Sequence, residues 1–394
     1  MENNFTTDCI EKIFEDKFTV VRDVELLWRG RESFKKILDT IINARKVICL
    51  QFYIFRNDAT GLDLSELLKQ KAREGVHVYI LYDHFGSWET PRKFWKEMSE
   101  AGISIRASRP FKWTTPFHYV HRDHRKLIVV DLREAFTGGL NIANEYMGFH
   151  LRTKGIGWRD TGIMVKGPMV KILFDTFKKS WYTWGGEEIE CGDANVSEDI
   201  EALSVQSSDN DRGIPAIPVF VHSSKGRRRM RRLLYYSINH SQESVTLTTA
   251  YFIPSRRMVE TLENAVGRGV RVRLLVPGMT DVPAAFYAGR AFFARLLKAG
   301  VEIYAYMGEI LHAKTYSFDK CWTIIGSTNL DFQSLRCNDE GNVGILDSDF
   351  GLRMIEIFKE DLTHSVKMDR ESWHKRPLLE KMKEHFFAFF RRRL

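Results

Sequence analysis

Laid against itself, this sequence repeats, and the repeat restricts the fold more than any other feature of the chain. In the first half FKKILDTIINARKVICLQFYIF, LLKQKAREGVHVYILYD, FWKEMSEAGISIRA and HRKLIVVD follow one another; in the second half MRRLLYYSINHSQESVTLTTAYFI, LENAVGRGVRVRLLVPG, FFARLLKAGVEIYAY and HAKTYSFD stand in the same order. Offsets between matched points are similar: 194 from Gly75 to Gly269, 198 from Gly102 to Gly300, and 188 from His124 to His312. Each copy alternates amphipathic helices with short apolar strands before it reaches the last segment, a pattern that predicts mixed β-sheets covered by helices. The expected fold is therefore α/β, two duplicated α/β/α units related by a pseudo-twofold axis and sharing one site. Residues 185–217, acidic and rich in Gly, Ser and Asn, read as a linker or exposed excursion. The expected division is an extension over 1–19, a first unit over 20–184, the linker, a second unit over 218–370 and a tail over 371–394.

The last matched segment carries the chemistry. His124, Lys126 and Asp131 form an HxKxxxxD pattern followed by Gly138, Gly139 and Asn141; His312, Lys314 and Asp319 repeat it, followed by Gly326, Ser327 and Asn329. The distance from His to the first Gly is 14 in both copies and from His to Asn 17. On a strand, His and Lys at i and i+2 project from one face, so both polar groups can meet one ligand. Asp falls at a turn, where its side chain can cap amides, and a structural role is favoured for Asp131 and Asp319 although they belong to the motif. An antiparallel return brings the glycines, which permit close approach to a ligand, and the asparagine back beside the His-Lys pair. One His, one Lys and one Asn from each half would then make a pocket for a phosphate diester.

The paired motif, with GWRDTGIMVKGPMV and the runs around it, resembles the phospholipase D superfamily, and its context is similar to the bacterial cardiolipin synthases over roughly residues 20 to 385. The resemblance implies a phosphatidyl transfer without metal or other cofactor. His124 would attack the phosphorus of phosphatidylglycerol, giving a phosphohistidine, and His312 would protonate the leaving glycerol and then activate the second lipid. Lys126, Lys314, Asn141 and Asn329 would stabilise the transition state, Gly138, Gly139 and Ser327 would shape the binding site, and Glu145 and Glu340 would orient the imidazoles by family position. A hydrolytic phospholipase D and a nuclease of the same superfamily are the alternatives. Trp158, Arg159 and Asp160 match a family segment, with packing at strand entry as good a reading as ligand contact.

Composition narrows the partners. A net charge of +8 over 394 residues favours anionic ones, and with no basic-aromatic groove for stacking bases the preference is for anionic phospholipids, phosphatidylglycerol and cardiolipin, over nucleic acid. Five cysteines without CxxC spacing suggest neither a disulfide framework nor a zinc site. His118, His121 and His124 stand three apart, but a strand would put i and i+3 on opposite faces, so no metal site is expected. No run approaches the roughly 18 apolar residues of a membrane span, and the N-terminus does not read as a signal peptide. The expected location is the cytoplasmic face of the membrane, held peripherally. A tail with Phe386, Phe387, Phe389 and Phe390 beside Arg391, Arg392 and Arg393 suits an interfacial helix, with packing onto the body as the competing reading. For the arginines from Arg227 to Arg232, a solvated face competes with contact to lipid headgroups.

Overall fold

A computed structural model describes residues 4–111, 121–147, 157–191 and 213–390. The strands, in chain order, are β1 Thr19–Val21, β2 Val24–Leu27, β3 Val47–Phe52, β4 His77–Asp83, β5 Ser104–Ser108, β6 Leu127–Val130, β7 Glu134–Gly138, β8 Gly162–Lys166, β9 Ile214–Val221, β10 Ser244–Thr248, β11 Arg271–Pro277, β12 Glu302–Tyr306, β13 Thr315–Phe318, β14 Trp322–Gly326, β15 Glu340–Leu346 and β16 Ser365–Lys367. One sheet has the order β2-β8-β7-β6-β3-β4-β5; the other, β1-β9-β15-β14-β13-β10-β11-β12-β16, is the same arrangement with one strand added at each edge. In both, three parallel strands (β3-β4-β5; β10-β11-β12) join an antiparallel set. The expected pair of mixed α/β units is what the chain forms.

Sequence dictates this locally. The VICLQF run of β3 is buried throughout, as a strand covered on both faces requires. Helices Ala59–Arg73, Arg256–Gly267 and Ser348–Thr363 start on Asp58, Ser255 and Asp347, whose side chains accept N–H bonds from the first turn. A shared apolar core lies between the sheets, with Leu127, Val129 and Ile163 from one and Ile325, Val343 and Ile345 from the other, around helices Met169–Thr183 and Ser348–Thr363.

The unit boundaries differ from the expected ones at the ends. Strand β1 pairs with β9 of the second sheet, and Phe5, Ile10 and Phe14 are buried in the second unit's outer core. The start of the chain is thus part of the second unit, with β2 as the first strand of the first. Strand β9 begins inside the segment read as linker, of which residues 192–212 lie outside the described residues. The tail forms helix Leu378–Phe389, and Phe387 stacks on Tyr287 of helix Pro283–Arg290 (ring centroids 5.9 Å apart). The Arg227–Arg232 cluster is mostly engaged inside the molecule: Arg227 pairs with Asp339, Arg229 and Arg232 with Glu15, and Arg231 with the Leu335 carbonyl.

Candidate active site

Two short backbone bridges tie the units together where the motifs meet. Asp123, just before His124, bridges to Asp339; Leu311, just before His312, bridges to Arg159. His124 N–H donates to the Asp339 carbonyl at 2.9 Å and His312 N–H to the Arg159 carbonyl at 2.8 Å. Each bridge therefore sets a histidine of one unit beside the residue that follows in the other unit. That residue is Glu340 in one case and Asp160 in the other. His124 Nδ1 lies 3.0 Å from Glu340 Oε2, and His312 Nδ1 lies 2.6 Å from Asp160 Oδ2. A carboxylate at Nδ1 fixes the proton there and leaves Nε2 for the substrate.

Both imidazoles line one cavity of about 610 Å³, together with Asn141, Asn329, Tyr53, Tyr146, Trp158 and Tyr251. Tyr53 presents a T-shaped contact to the His124 ring at 5.0 Å, and Tyr146 one to the His312 ring at 5.3 Å. Asn141 and Asn329 are held alike, each Oδ1 accepting a backbone N–H, from Ile54 at 3.1 Å and from Tyr251 at 3.2 Å. Lys126 and Lys314 are buried beneath the histidines and donate to the carbonyls of His124 and His312. Lys314 also reaches His312 Nδ1 at 2.8 Å; that nitrogen cannot serve both neighbours, and the nearer carboxylate takes its proton.

Burial pushes both imidazoles toward the neutral form, with Lys126 adding to the effect at His124 and Glu340 opposing it. At His312, burial and Lys314 outweigh Asp160 and push the pKa down to about 3. Burial, then repulsion from Lys314, brings Lys126 down to about 7; burial brings Lys314 to about 8 against the pull of Asp160 and Glu340. Burial alone would raise the two carboxyl groups. Lys314 and His312 around Asp160, and His124 and Lys126 around Glu340, hold them below the usual range instead. The site is a buried mixture of charges arranged to accept an anion, and its electrostatics belong to both halves at once.

Several candidate site residues lie away from the histidines or serve another group. Asp131 and Asp319 stand at the far ends of β6 and β13 from the histidines. Asp131 accepts the N–H groups of Arg45, Lys46 and Val47, and Asp319 those of Gln242, Glu243 and Ser244. They tie the hairpin to the neighbouring strand and touch nothing in the cavity. Glu145 lines the cavity but pairs with Arg56 at 3.5 Å, and the imidazole it was expected to orient is held by Asp160. Gly138 and Gly139 are not against the ligand space. Gly138, at φ 152°, packs on Gly162, and a Cβ at Gly139 would strike the Asp160 carboxylate, so this glycine makes room for the carboxylate on His312. Ser327, its counterpart, donates to Glu340. His121 bonds through Nδ1 to the Cys337 carbonyl at 2.8 Å, and His118 lies outside the described residues.

Sequence reasoning named Trp158 and Asp160 only within a matched family segment, without a site role, and missed Tyr53, Tyr146 and Tyr251 around the imidazoles and Arg56 and Arg122 on the cavity wall. Gly139 N–H bonds to the Thr161 carbonyl as Ser327 N–H bonds to that of Gly341, so Asp160 and Glu340 are repeat equivalents.

Comparison with known proteins agrees with this geometry. The family described as "Cardiolipin synthase, PLD-like domain" matches residues 37–153 and 234–362, one stretch in each unit. Cardiolipin synthase 2 of Bacillus cereus is 32% identical over 364 residues, 92% of this chain and 69% of that protein. A cardiolipin synthase of Geobacillus sp. is 32% identical over 370 residues, 93% of this chain and 71% of that one. Among solved structures, phosphatidylserine synthase of Haemophilus influenzae superposes with a TM-score of 0.76 at 14% identity, covering 99% of this chain and 100% of that one, a likeness of fold. The matched stretches contain both HxKxxxxD motifs, and with relatives this similar over more than nine-tenths of its length the chain belongs to the phospholipase D-like cardiolipin synthase family.

Proposed function

We propose that this protein joins two phosphatidylglycerol molecules into cardiolipin and releases glycerol. The observation that carries the reading is the crossed arrangement of two imidazoles on one cavity, each held at Nδ1 by a carboxylate of the other unit. His124 Nε2 attacks phosphorus, the P–O bond to the headgroup glycerol breaks, and His312 gives that oxygen a proton. A hydroxyl of the second lipid's headgroup then loses its proton to His312 and attacks phosphatidyl-His124, breaking the P–N bond. His124 Nδ1 meets the Glu340 carboxylate, whereas His312 Nδ1 meets Lys314 as well as Asp160, so His124 suits the nucleophile. His312 is uncharged at rest and takes a proton from solvent at Nε2 as the substrate binds, because the anionic diester, by offsetting Lys126 and Lys314, raises its proton affinity. Lys126, Lys314 and the two asparagines stabilise the phosphorane oxygens, and Arg122 adds positive charge on the wall for an anionic acceptor.

The substrates lie in a bilayer, so the enzyme works at its surface, and we place that surface at the cytoplasmic face. No described helix is long and apolar enough to cross a membrane. On helix Leu378–Phe389 the side chains of Leu378, Leu379, Met382, Phe386 and Phe389 are exposed, the last at 81%, on one side of a helix whose other side carries Phe387 and buried Glu384. An apolar face of this kind supports interfacial docking; Arg391–Arg393 lie outside the described residues.

The test is purified protein with labelled phosphatidylglycerol vesicles, products resolved as cardiolipin, phosphatidic acid and glycerol, with single-stranded DNA in parallel. Cardiolipin with equimolar glycerol is expected, and His124→Ala and His312→Ala each remove turnover while keeping the fold. Phosphatidic acid alone would make the protein a hydrolase, and DNA cleavage without lipid turnover would make it a nuclease.

A further inference from the structure

The two units repeat each other closely enough for one to serve as the reference for the other. Ile54 and Tyr251 make the same N–H bond to Asn141 and Asn329, and Phe55 and Phe252 make the same bridge to Ile142 and Leu330, so the ends of β3 and β10 correspond. Beyond that end the first unit is filled with rings. Phe55 meets Trp95 at 5.4 Å and Phe94 at 5.8 Å, and Tyr82 lies flat on Trp95 with ring centroids 4.0 Å apart. Strand register and the helix-to-strand turns match Tyr82 to Val276 and Trp95 to Phe293. With the tyrosine replaced by valine, the second unit has a cavity of about 240 Å³ in this place, lined by Phe252, Val276, Phe293 and Ala305 among others.

We propose that this cavity holds one acyl chain of the phospholipid whose diester lies between His124 and His312, an inference that rests on the lipid reading above. Tyr251 and Ala285 line both this cavity and the diester cavity, so the two adjoin and the cavity lies within reach of a chain leaving the diester. Its polar neighbours are already engaged: Arg290 with Glu384 at 3.1 Å, Tyr251 Oη with Asp281 at 2.8 Å, and Thr280 Oγ1 with the Val282 N–H at 3.0 Å. Little is left there to recognise a sugar, a base or a headgroup. The volume is below the ~300–1,000 Å³ of sites that enclose a whole small ligand, which fits part of one. At the rim stands Met307, 50% exposed and able to adapt to a flexible chain. Ala285, Phe286 and Arg290 of the wall come from helix Pro283–Arg290, on which the tail helix with its exposed apolar face is stacked, so the opening lies near the surface proposed to meet the bilayer. An unfilled void costs folding stability, and the first unit demonstrates that this architecture accommodates rings in the same place.

The experiment compares kcat/KM of the full chain for dioleoyl phosphatidylglycerol in mixed micelles and for bis(4-nitrophenyl) phosphate, a diester without chains. Met307→Trp narrows the rim, and Ala305→Leu narrows the cavity from the sheet side in case the indole disturbs the rim; thermal unfolding checks that both fold. Each methylene withdrawn from water is worth about fourfold in affinity, so both variants are expected to lose at least about tenfold on the lipid and to stay within about twofold of the parent on the chainless diester. Unchanged lipid turnover in both folded variants, or equal losses on the two substrates, overturns the acyl assignment. A parent protein that cleaves the chainless diester and leaves phosphatidylglycerol untouched overturns the lipid reading, and this inference with it.

Discussion

A neutral imidazole attacks through one nitrogen only if the proton is fixed on the other, and here that task crosses the molecule: Asp160 serves His312 and Glu340 serves His124. Asp160→Asn keeps the shape and removes the charge, so kcat should fall by about two to four orders of magnitude with KM little changed, since orientation and imidazolium stabilisation matter in the transition state. Gly139→Ala should produce much of the same loss without altering any polar group, because its methyl would occupy the place of the Asp160 carboxylate. Steady-state kinetics on both variants checks this; a normal kcat in Asp160→Asn would remove the carboxylate from the mechanism. The histidines, lysines and asparagines were legible because chemistry puts them at fixed spacing just before one strand and just after its return. Asp160 was not, because its partner is 152 residues away and only the fold brings them together. Glu145 illustrates the converse, a carboxylate beside the site by sequence that Arg56 and the cavity wall claim.

At the scale of elements, the aspartates that close each motif act as joints. Asp131 and Leu132, like Asp319 and Lys320, hold positive φ in the three-residue connections of their hairpins, a conformation that Asp tolerates and that leucine and lysine adopt at a cost. Each carboxylate compensates by collecting three N–H groups at the start of the neighbouring strand. Asp319→Ala leaves those donors without their acceptor and should lower stability by about 1–3 kcal/mol, while kcat per folded molecule stays at the parent value. Urea unfolding with active-site titration separates the two; a large loss of kcat in the folded fraction would return Asp319 to the chemistry. The inner strands were readable from apolar runs between helical segments. The three-residue edge strands β1 and β16 were not, since strands this short carry little pattern of their own and are defined by the partners β9 and β12. The same applies to the chain's start, whose Phe5, Ile10 and Phe14 suggest an amphipathic helix but not which unit it covers.

At the scale of the whole molecule, the halves are joined by a buried network: Arg159 of one holds Asp361 of the other through two bonds of 2.7 and 2.9 Å, and Asp339 takes Arg109 and Arg227. The lysines feel this assembly, because Lys314 of one unit depresses Lys126 of the other. Their charge has opposite consequences for binding and folding. With Lys126 and Lys314 titrating at about 7 and about 8, kcat/KM for a diester should fall as pH rises through that interval, since the free enzyme loses the cations that receive it. For stability the sign reverses. An unfolded lysine titrates near ~10.4, so between about 7 and that value the unfolded chain binds more protons than the folded one, and the contribution of Lys126 to stability rises with pH. Lys126→Met should therefore stabilise the protein most below pH ~7, with the advantage shrinking as pH approaches ~10. Chemical denaturation of parent and variant across this range checks it. An advantage independent of pH would mean that Lys126 stays charged throughout, and the alkaline fall in kcat/KM would then need another source.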